Sequence, residues 1–316
     1  MAEIAHSVVA YAPGSIGNFG PAIDVLGCAL TGAGDEVRVA FNNTPHIVVA
    51  DSGHPHLPTN PARHTSAIAA REVLARTGLS DWGVTLSVTK GLPLAGGQGG
   101  SAASAIAAAV AVNVLVSDAG KDPLDAQALL SAALVAEATV AGRHLDNLAP
   151  SLLGGVCCVR SIAPPDVTRI QVNVPLWIAL AHPEVAVRTA DARAVLPQFV
   201  PRAMLIDQLA NVAAQVSALA TGDLELLGRA LTDHYAEPAR APLVAGFYQA
   251  KQAALEAGAL GGSFSGSGPT TFMVCASEAI ALGVAEAMRW SFEVSGVACT
   301  ARVATIDFEG ATWRRE

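Results

Sequence analysis

The 316-residue chain is 52% hydrophobic and 15% charged, with a formal net charge of −8. That length suffices for one large or two modest domains with a sizeable core, and the composition excludes a disordered chain. The acidic balance disfavours a general nucleic-acid binder and leaves small-molecule chemistry as the default.

Met1-Ala2-Glu3-Ile4 has neither a basic nor a long apolar stretch, so no secretory signal is expected. Ser7 to Tyr11 reads as a strand ending in the turn Ala12-Pro13-Gly14-Ser15, and Asp35 to Ala40 alternates like a second strand. His46 to Ala50 gives a third before a Pro-rich turn, and Ala62 to Thr77 has the pattern of a helix. Val84 to Thr89 alternates again and leads into Gly91-Leu92-Pro93-Leu94-Ala95-Gly96-Gly97-Gln98-Gly99-Gly100-Ser101-Ala102-Ala103-Ser104, followed by the Ala-rich stretch Ala105 to Val116. Four glycines within five positions permit positive φ and a close approach to ligand. The helix behind them would offer free N–H groups and its positive end to a polyphosphate. The run lacks the Lys-Ser or Lys-Thr of a Walker loop and the spacing of a dinucleotide fingerprint. Taken alone, it reads equally as an ordinary loop before a core helix packed through alanines. Ala102 to Val116 is shorter than the roughly 20 residues of a membrane span, so a core helix and no membrane association are expected.

Asp125 to Ala141 is the next helix, started by Asp122-Pro123-Leu124-Asp125. It runs into Gly142-Arg143-His144-Leu145-Asp146-Asn147, a turn with too many polar groups for a plain connector. After the strand Gly155 to Arg160, Ala163-Pro164-Pro165-Asp166 is the candidate linker, dividing the chain into 1–165 and 166–316. The second part holds a strand at Leu176 to Ala181, helices at Arg202 to Ala220, Asp223 to His234 and Leu243 to Ala257, and strands at Phe272 to Ala276 and Arg302 to Asp307. Cys28, Cys157, Cys158, Cys275 and Cys299 sit in apolar contexts without metal-ligand spacing, as expected of reduced, buried thiols in the cytoplasm. Arg302, Trp313, Arg314 and Arg315 are candidates for a subunit contact in a homodimer, against the plainer reading of a solvated tail.

Two more Gly-rich segments stand near the ends. Ala12-Pro13-Gly14-Ser15-Ile16-Gly17-Asn18-Phe19-Gly20-Pro21-Ala22-Ile23-Asp24-Val25-Leu26-Gly27 combines turn residues with two polar side chains, Asn18 and Asp24. Gly261-Gly262-Ser263-Phe264-Ser265-Gly266-Ser267-Gly268-Pro269-Thr270 precedes a strand. In this order the three segments resemble the three motifs of the GHMP small-molecule kinases over nearly the full length. Within that superfamily the chain is most similar to the homoserine kinase family. Its finer marks are matched by His144-Leu145-Asp146-Asn147-Leu148-Ala149-Pro150 with Gly154-Gly155, by Thr189-Ala190-Asp191-Ala192-Arg193-Ala194-Val195-Leu196-Pro197, and by Glu237-Pro238-Ala239-Arg240. The resemblance implies an α+β fold. A ribosomal S5 domain 2-like N-terminal domain (1–165) would hold the glycine loop, and a ferredoxin-like C-terminal domain (166–316) much of the substrate pocket, with the active site between them.

It also implies ATP-dependent phosphorylation of the L-homoserine side-chain hydroxyl in threonine biosynthesis. ATP would be held by Pro93, Leu94, Ala95, Gly96, Gly97, Gln98, Gly99, Gly100, Ser101, Ala102 and Ala103. By resemblance, Arg193 and Arg240 hold the substrate carboxylate through charge-assisted bonds contributing about 1.5–3 kcal/mol each. Asp24 suits the ammonium, and Asn18, His144, Asn147 and Thr189 complete the polar shell that aims the hydroxyl at the γ-phosphate. Taken singly, Arg193 reads as a surface ion pair and His144 as a turn residue. Mg2+ is implied as well, with Ser101 and Glu137 as its oxygen partners. Glu137 stands seven residues before His144, where the family pattern has eight, so its direction is open and an exposed helix carboxylate is the plain alternative. Asp146, with Asn147 and Ser101 beside it as candidate catalytic groups, has two readings. It is a general base, typically contributing about 10²- to 10⁴-fold, or it pins its own turn while an oriented hydroxyl attacks directly.

The chain departs from the family pattern in places. Gln98 and Gly100 replace the leucine and first serine of Gly-Leu-Gly-Ser-Ser, Ala22-Ile23 replaces Gly-Phe, and His64 replaces an asparagine. These changes put a phosphate or metal contact and the nucleotide preference in question. They keep open a GHMP kinase for another small alcohol, such as threonine, and a catalytically silent GHMP-like ligand sensor. The paired arginines favour an amino acid.

Overall fold

A computed structural model of the chain describes residues 7–316, so the expectation for Met1 to Ile4 lies outside the described residues. β1 (Val8–Gly17) and β2 (Leu26–Asn42) form a long antiparallel pair. The expected turn Ala12-Pro13-Gly14-Ser15 is strand: Pro13 pairs with Gly34, and the register shifts between Pro13 and Ser15. A bulge accommodates a proline because the ladder gives up a bond there in any case. β3 (Val48–Asp51) is joined by α1 (Thr65–Arg76) to β4 (Gly83–Thr89), its parallel neighbour.

Behind this sheet lies α2 (Gly100–Asp118), whose alanines are fully buried and let it approach β1 and β2 closely. α3 (Ala126–Glu137) starts on Asp125, whose side chain accepts a bond from the Ala128 N–H at 2.8 Å, and ends at Glu137 rather than Ala141. α4 (Leu148–Leu153), β5 (Val156–Ile162) and β6 (Pro165–Ile170) follow. β5 pairs with both β2 and β6, so Ala163-Pro164-Pro165-Asp166 is a hairpin turn and not a linker. Pro and Asp mark a tight reversal as readily as an interdomain tether. The first sheet therefore continues past residue 165 to Ile170.

The second half contains β7 (Trp177–Pro183), α5 (Thr189–Ala194), α6 (Arg202–Thr221), α7 (Leu224–Ala230), α8 (Ala236–Arg240), α9 (Phe247–Glu256), β8 (Gly261–Phe264), β9 (Thr271–Cys275), α10 (Glu278–Val294) and β10 (Cys299–Thr305). Its four strands pair antiparallel in the order β10-β7-β9-β8. The helix expected over 223–234 ends early, because Asp233 accepts bonds from the N–H groups of Tyr235, Ala236 and Glu237 and starts α8 instead. The two sheets with their covering helices make the expected α+β fold.

β11 (Thr312–Arg315) returns to the first sheet and pairs with β1, from Val8↔Arg315 to Tyr11↔Thr312. Trp313, Arg314 and Arg315 are thus strand residues rather than a solvated tail, held by Arg315–Asp118 at 2.6 Å and Arg314–Glu36 at 2.9 Å. α2 and α6 are long and apolar enough to cross a membrane by length and composition alone, yet α2 is the centre of the N-terminal core. All five cysteines are free, and all but the half-buried Cys158 are buried.

Glycine is obligatory where the motif strands meet the polar turn. Gly27 pairs with Gly17, and a Cβ on Gly27 would run into the Asp146 carbonyl and lie 3.0 Å from Pro150 Cγ. Gly27→Ala is expected to lower the unfolding free energy by about 1–3 kcal/mol through overpacking, measurable as a shifted denaturant midpoint.

Candidate active site

A cavity of ≈ 540 Å³ opens between the two halves. Its wall takes in Leu57, Pro58, Arg63 and His64 on the approach to α1, the glycine loop, the polar turn with His144, Asp146 and Asn147, and Thr189, Arg193 and Arg240 from α5 and α8.

The glycine loop holds the conformations its composition suggested. Gly97 and Gly99 have φ of 73° and 70°, and Ala95 joins them at 50°. A Cβ on Gly97 would strike the carbonyls of Ser265 and Gly268, so only glycine lets the third motif close over the second. At the start of α2 the N–H groups of Gly100, Ser101 and Ala102 precede the first intrahelical bond, which Ala103 makes to the Gly99 carbonyl at 2.9 Å. Ala103 is therefore not a ligand donor, and the buried Ala102 offers only its backbone. Gln98 is a further correction: its buried side chain turns out of the cavity, toward Thr270 and Arg302. A Cβ on Gly100 would stand 3.3 Å from Lys90 Nζ, a tight contact with the end of a flexible side chain, and nothing in the structure explains the absence of the family pattern's serine.

Lys90 and Asp35 belong to none of the three motifs, yet they anchor the glycine loop. Asp35 is fully buried and pairs with Lys90 beneath the loop. Lys90 also donates to the Gly100 carbonyl at 2.9 Å and to Ser104 Oγ at 3.0 Å, while Asp35 accepts from the Gly91 N–H at 3.1 Å and Ser104 Oγ at 2.6 Å. The pair clamps both ends of the glycine run. The available signal was a lysine immediately before the glycines and an aspartate inside an otherwise apolar strand. Lys90→Met leaves the Asp35 carboxylate buried without its cation and is expected to destabilise the fold by about 3–5 kcal/mol, read from thermal or denaturant unfolding.

His64, where the family pattern has asparagine, is buried with Nε2 3.5 Å from the Ser52 carbonyl and Nδ1 without a partner. Burial lowers its pKa, favouring the neutral ring.

At the opposite end, Asn18 and Asp24 adopt left-handed conformations, φ 55° and 58°, which short polar residues tolerate. The Asn18 N–H donates to Asp146 Oδ2 at 2.9 Å, Nδ2 donates to the Gly266 carbonyl at 2.9 Å, and Oδ1 accepts from the Asp24 N–H at 2.8 Å. Asp24 stands behind the cavity wall, bonded to Arg193 Nη2 at 2.8 Å and facing His144 Nδ1 at 3.1 Å. Burial opposes its ionisation, but the bonds and charges of His144 and Arg193 outweigh it and hold the carboxyl well below the usual range. Arg193 Nε is buried without a partner. Arg240 is also buried, donating Nε to the Ala192 carbonyl at 3.2 Å and Nη1 to the Gly266 carbonyl at 2.9 Å. Thr189 Oγ1 lies 3.4 Å from Ser267 Oγ.

Between the two ends stand the carboxyls. Ser101 Oγ donates to Glu137 Oε2 at 2.8 Å, so α3 directs Glu137 inward despite the one-residue difference in spacing. Burial pushes its carboxyl up to about 7, the Ser101 bond opposing and the nearby Asp146 adding to the shift. The donors fit Mg2+: two hard oxygens close together, one on a buried carboxyl that forms no salt bridge among the described residues. Among the described residues there is no cluster of three His, Cys, Asp or Glu that could hold a metal ion. Asp146 is buried on the cavity wall, and burial with the charge of Asp24 pushes it up to about 6. Asn147 Oδ1 accepts from Ser15 Oγ at 3.0 Å.

The family descriptions "GHMP kinases N terminal domain" and "GHMP kinases C terminal" match residues 64–155 and 215–293. The chain is 40% identical over 300 residues to the homoserine kinase of Chlorobium phaeobacteroides (strain BS1), covering 90% of this chain and 92% of that protein. The crystal structure of homoserine kinase from Cytophaga hutchinsonii superposes with a TM-score of 0.91 at 34% identity, covering 99% of both chains. The fold extends to L. major mevalonate kinase in complex with R-mevalonate, with a TM-score of 0.72 at 18% identity and 94% of each chain covered.

Proposed function

Because this chain belongs to the homoserine kinase family of the GHMP kinases, we infer that its cavity brings ATP and L-homoserine together. The enzyme transfers the γ-phosphoryl group of ATP to the side-chain hydroxyl of L-homoserine, forming O-phospho-L-homoserine and ADP for threonine biosynthesis. One observation carries the reading: helix N–H groups that suit a polyphosphate share a cavity with two buried or half-buried arginines that suit an amino acid's carboxylate, one of them backed by Asp24. The five free cysteines accord with a reducing compartment, the cytoplasm.

In this reading the loop N–H groups of Gly100, Ser101 and Ala102 hold the phosphates. Ser101 and Glu137 would hold Mg2+, which when bound offsets charge on the β- and γ-phosphates. The unpartnered Arg193 Nε and the guanidinium of Arg240 take the substrate carboxylate, and Asp24, once the ammonium competes for its oxygens, holds the other end. Asn18, His144, Asn147 and Thr189 fix the rest, so the hydroxyl is delivered in line with the γ-phosphorus and pays no ordering cost at the moment of transfer.

Asp146 is the proton acceptor. A carboxyl raised to about 6 stays ionised at neutral pH yet retains basicity toward a hydroxyl losing its proton. A second reading, direct attack by the hydroxyl, is favoured by the Asn18 N–H bond to Asp146 Oδ2, which gives this side chain a structural task.

ADP release from Mg-ATP with L-homoserine, L-threonine, R-mevalonate or no acceptor tests the assignment. Turnover with L-homoserine alone is expected. Turnover with another acceptor only would replace the substrate, and nucleotide binding without turnover would make the protein a sensor.

A further inference from the structure

The side chain of Gln98 faces away from the ligand and into a set of contacts that no motif accounts for. Its Oε1 accepts from Arg302 Nη2 at 2.9 Å, and its Nε2 lies 3.4 Å from Thr270 Oγ1. Thr270 in turn bonds the Gly96 carbonyl and meets His182 Nδ1 at 3.0 Å, while Ser265 Oγ donates to the Gly97 carbonyl at 2.6 Å. Three consecutive loop residues, 96 to 98, are thus held from the second sheet and the loop preceding β9. Arg302, on β10, also donates Nη1 to the Thr31 carbonyl at 3.0 Å. Among the described residues no carboxylate pairs with it.

A guanidinium satisfied only by neutral acceptors keeps its charge uncancelled, and a partly desolvated charge acts farther than an exposed one. This one lies behind the loop read here as the ATP site, where positive potential favours a polyphosphate. Gln98 is the residue that brings the two together, and the leucine of the family pattern has no acceptor to offer. We propose that Arg302 and Gln98 are a positioning pair, which fixes the glycine loop in its nucleotide-receiving shape from the opposite sheet and lends it positive charge.

The inference rests on the loop being the nucleotide site, so binding is measured apart from turnover. Calorimetric titration with Mg-ADP is run on the wild type, Arg302→Met, Arg302→Lys, Gln98→Leu and the Arg302→Met/Gln98→Leu double variant. Loss of one charge-assisted bond predicts roughly tenfold weaker Mg-ADP binding for Arg302→Met and Gln98→Leu. Arg302→Lys, which keeps the charge, is expected to recover part of the loss. The double variant is expected to be no weaker than Arg302→Met, because both changes break one contact. In steady state KM for ATP rises, while KM for L-homoserine and kcat at saturating ATP stay within about twofold. Unchanged Mg-ADP affinity in folded Arg302→Met and Gln98→Leu would overturn the proposal, as would KM for both substrates and kcat falling off together. Should Arg302→Met fail to fold, Gln98→Leu decides alone, since leucine is the residue the family pattern places in this loop. A wild type that binds Mg-ADP but phosphorylates no homoserine would discard the substrate while leaving the pair to the titration.

Discussion

Arg193→Ala is expected to raise KM for L-homoserine by roughly 10- to 150-fold, the equivalent of one charge-assisted bond of about 1.5–3 kcal/mol. KM for ATP is expected to stay within about twofold, because the hydrogen bonds of Arg193 go to Asp24 and none to the glycine loop. The loss has two sources. The substrate carboxylate forfeits the Nε donor, which the protein leaves unpartnered, and Asp24 loses the guanidinium that donates to both its oxygens, at 2.8 and 3.3 Å. Arg193→Lys should recover little, since an ammonium cannot span two carboxylates in one plane. Steady-state kinetics with each substrate varied in turn check this. A rise in KM for both substrates alike would mean that Arg193 supports the fold and not the acceptor.

Asp146→Asn separates the two accounts of proton removal. As general base, Asp146 predicts a fall in kcat of about 10²- to 10⁴-fold with little change in either KM. The pH profile carries a second signature. The wild-type rate should decline as pH drops through about 6, because burial and the charge of Asp24 raise this carboxyl and only its ionised form accepts a proton. Asparagine keeps an oxygen for the Asn18 N–H, so the turn is preserved and a purely structural role would leave kcat nearly intact. A variant retaining more than about a tenth of wild-type kcat, with the acidic limb unchanged, would transfer the reaction to unassisted attack.

Legibility from sequence followed distance along the chain. The glycine run, the alanine helix and the polar turn were readable because each combines its signal within a few residues, and periodicity and turn chemistry act at that range. Arg193, Arg240, Asp24 and His144 were assembled only through the family resemblance, since nothing local says that residues far apart face one cavity. The Lys90–Asp35 clamp escaped notice because its partners are 55 residues apart and each looks ordinary alone. Gln98 was assigned to the ligand because it sits among residues that line the cavity, but side-chain direction depends on backbone angles that composition does not reveal. α10 was missed although Ala281, Val284, Ala285, Met288 and Phe292 repeat at helical spacing, and the β5–β6 reversal was mistaken for a linker because turns and tethers share their residues. Strand pairing is the least local signal of all, which is why β11 read as a tail.

That last strand bears on how the molecule is made. β1 carries Ser15, Gly17 and, just beyond it, Asn18 into the site, and among the described residues its outer edge pairs with the four residues Thr312–Arg315. These residues follow β1 across nearly the whole described sequence, so in folding the N-terminal half has an open sheet edge until they pair. A change that loosens Thr312–Arg315 therefore bares a hydrogen-bonding template on the strand that feeds the site, and reaches the chemistry from residues that never touch the cavity.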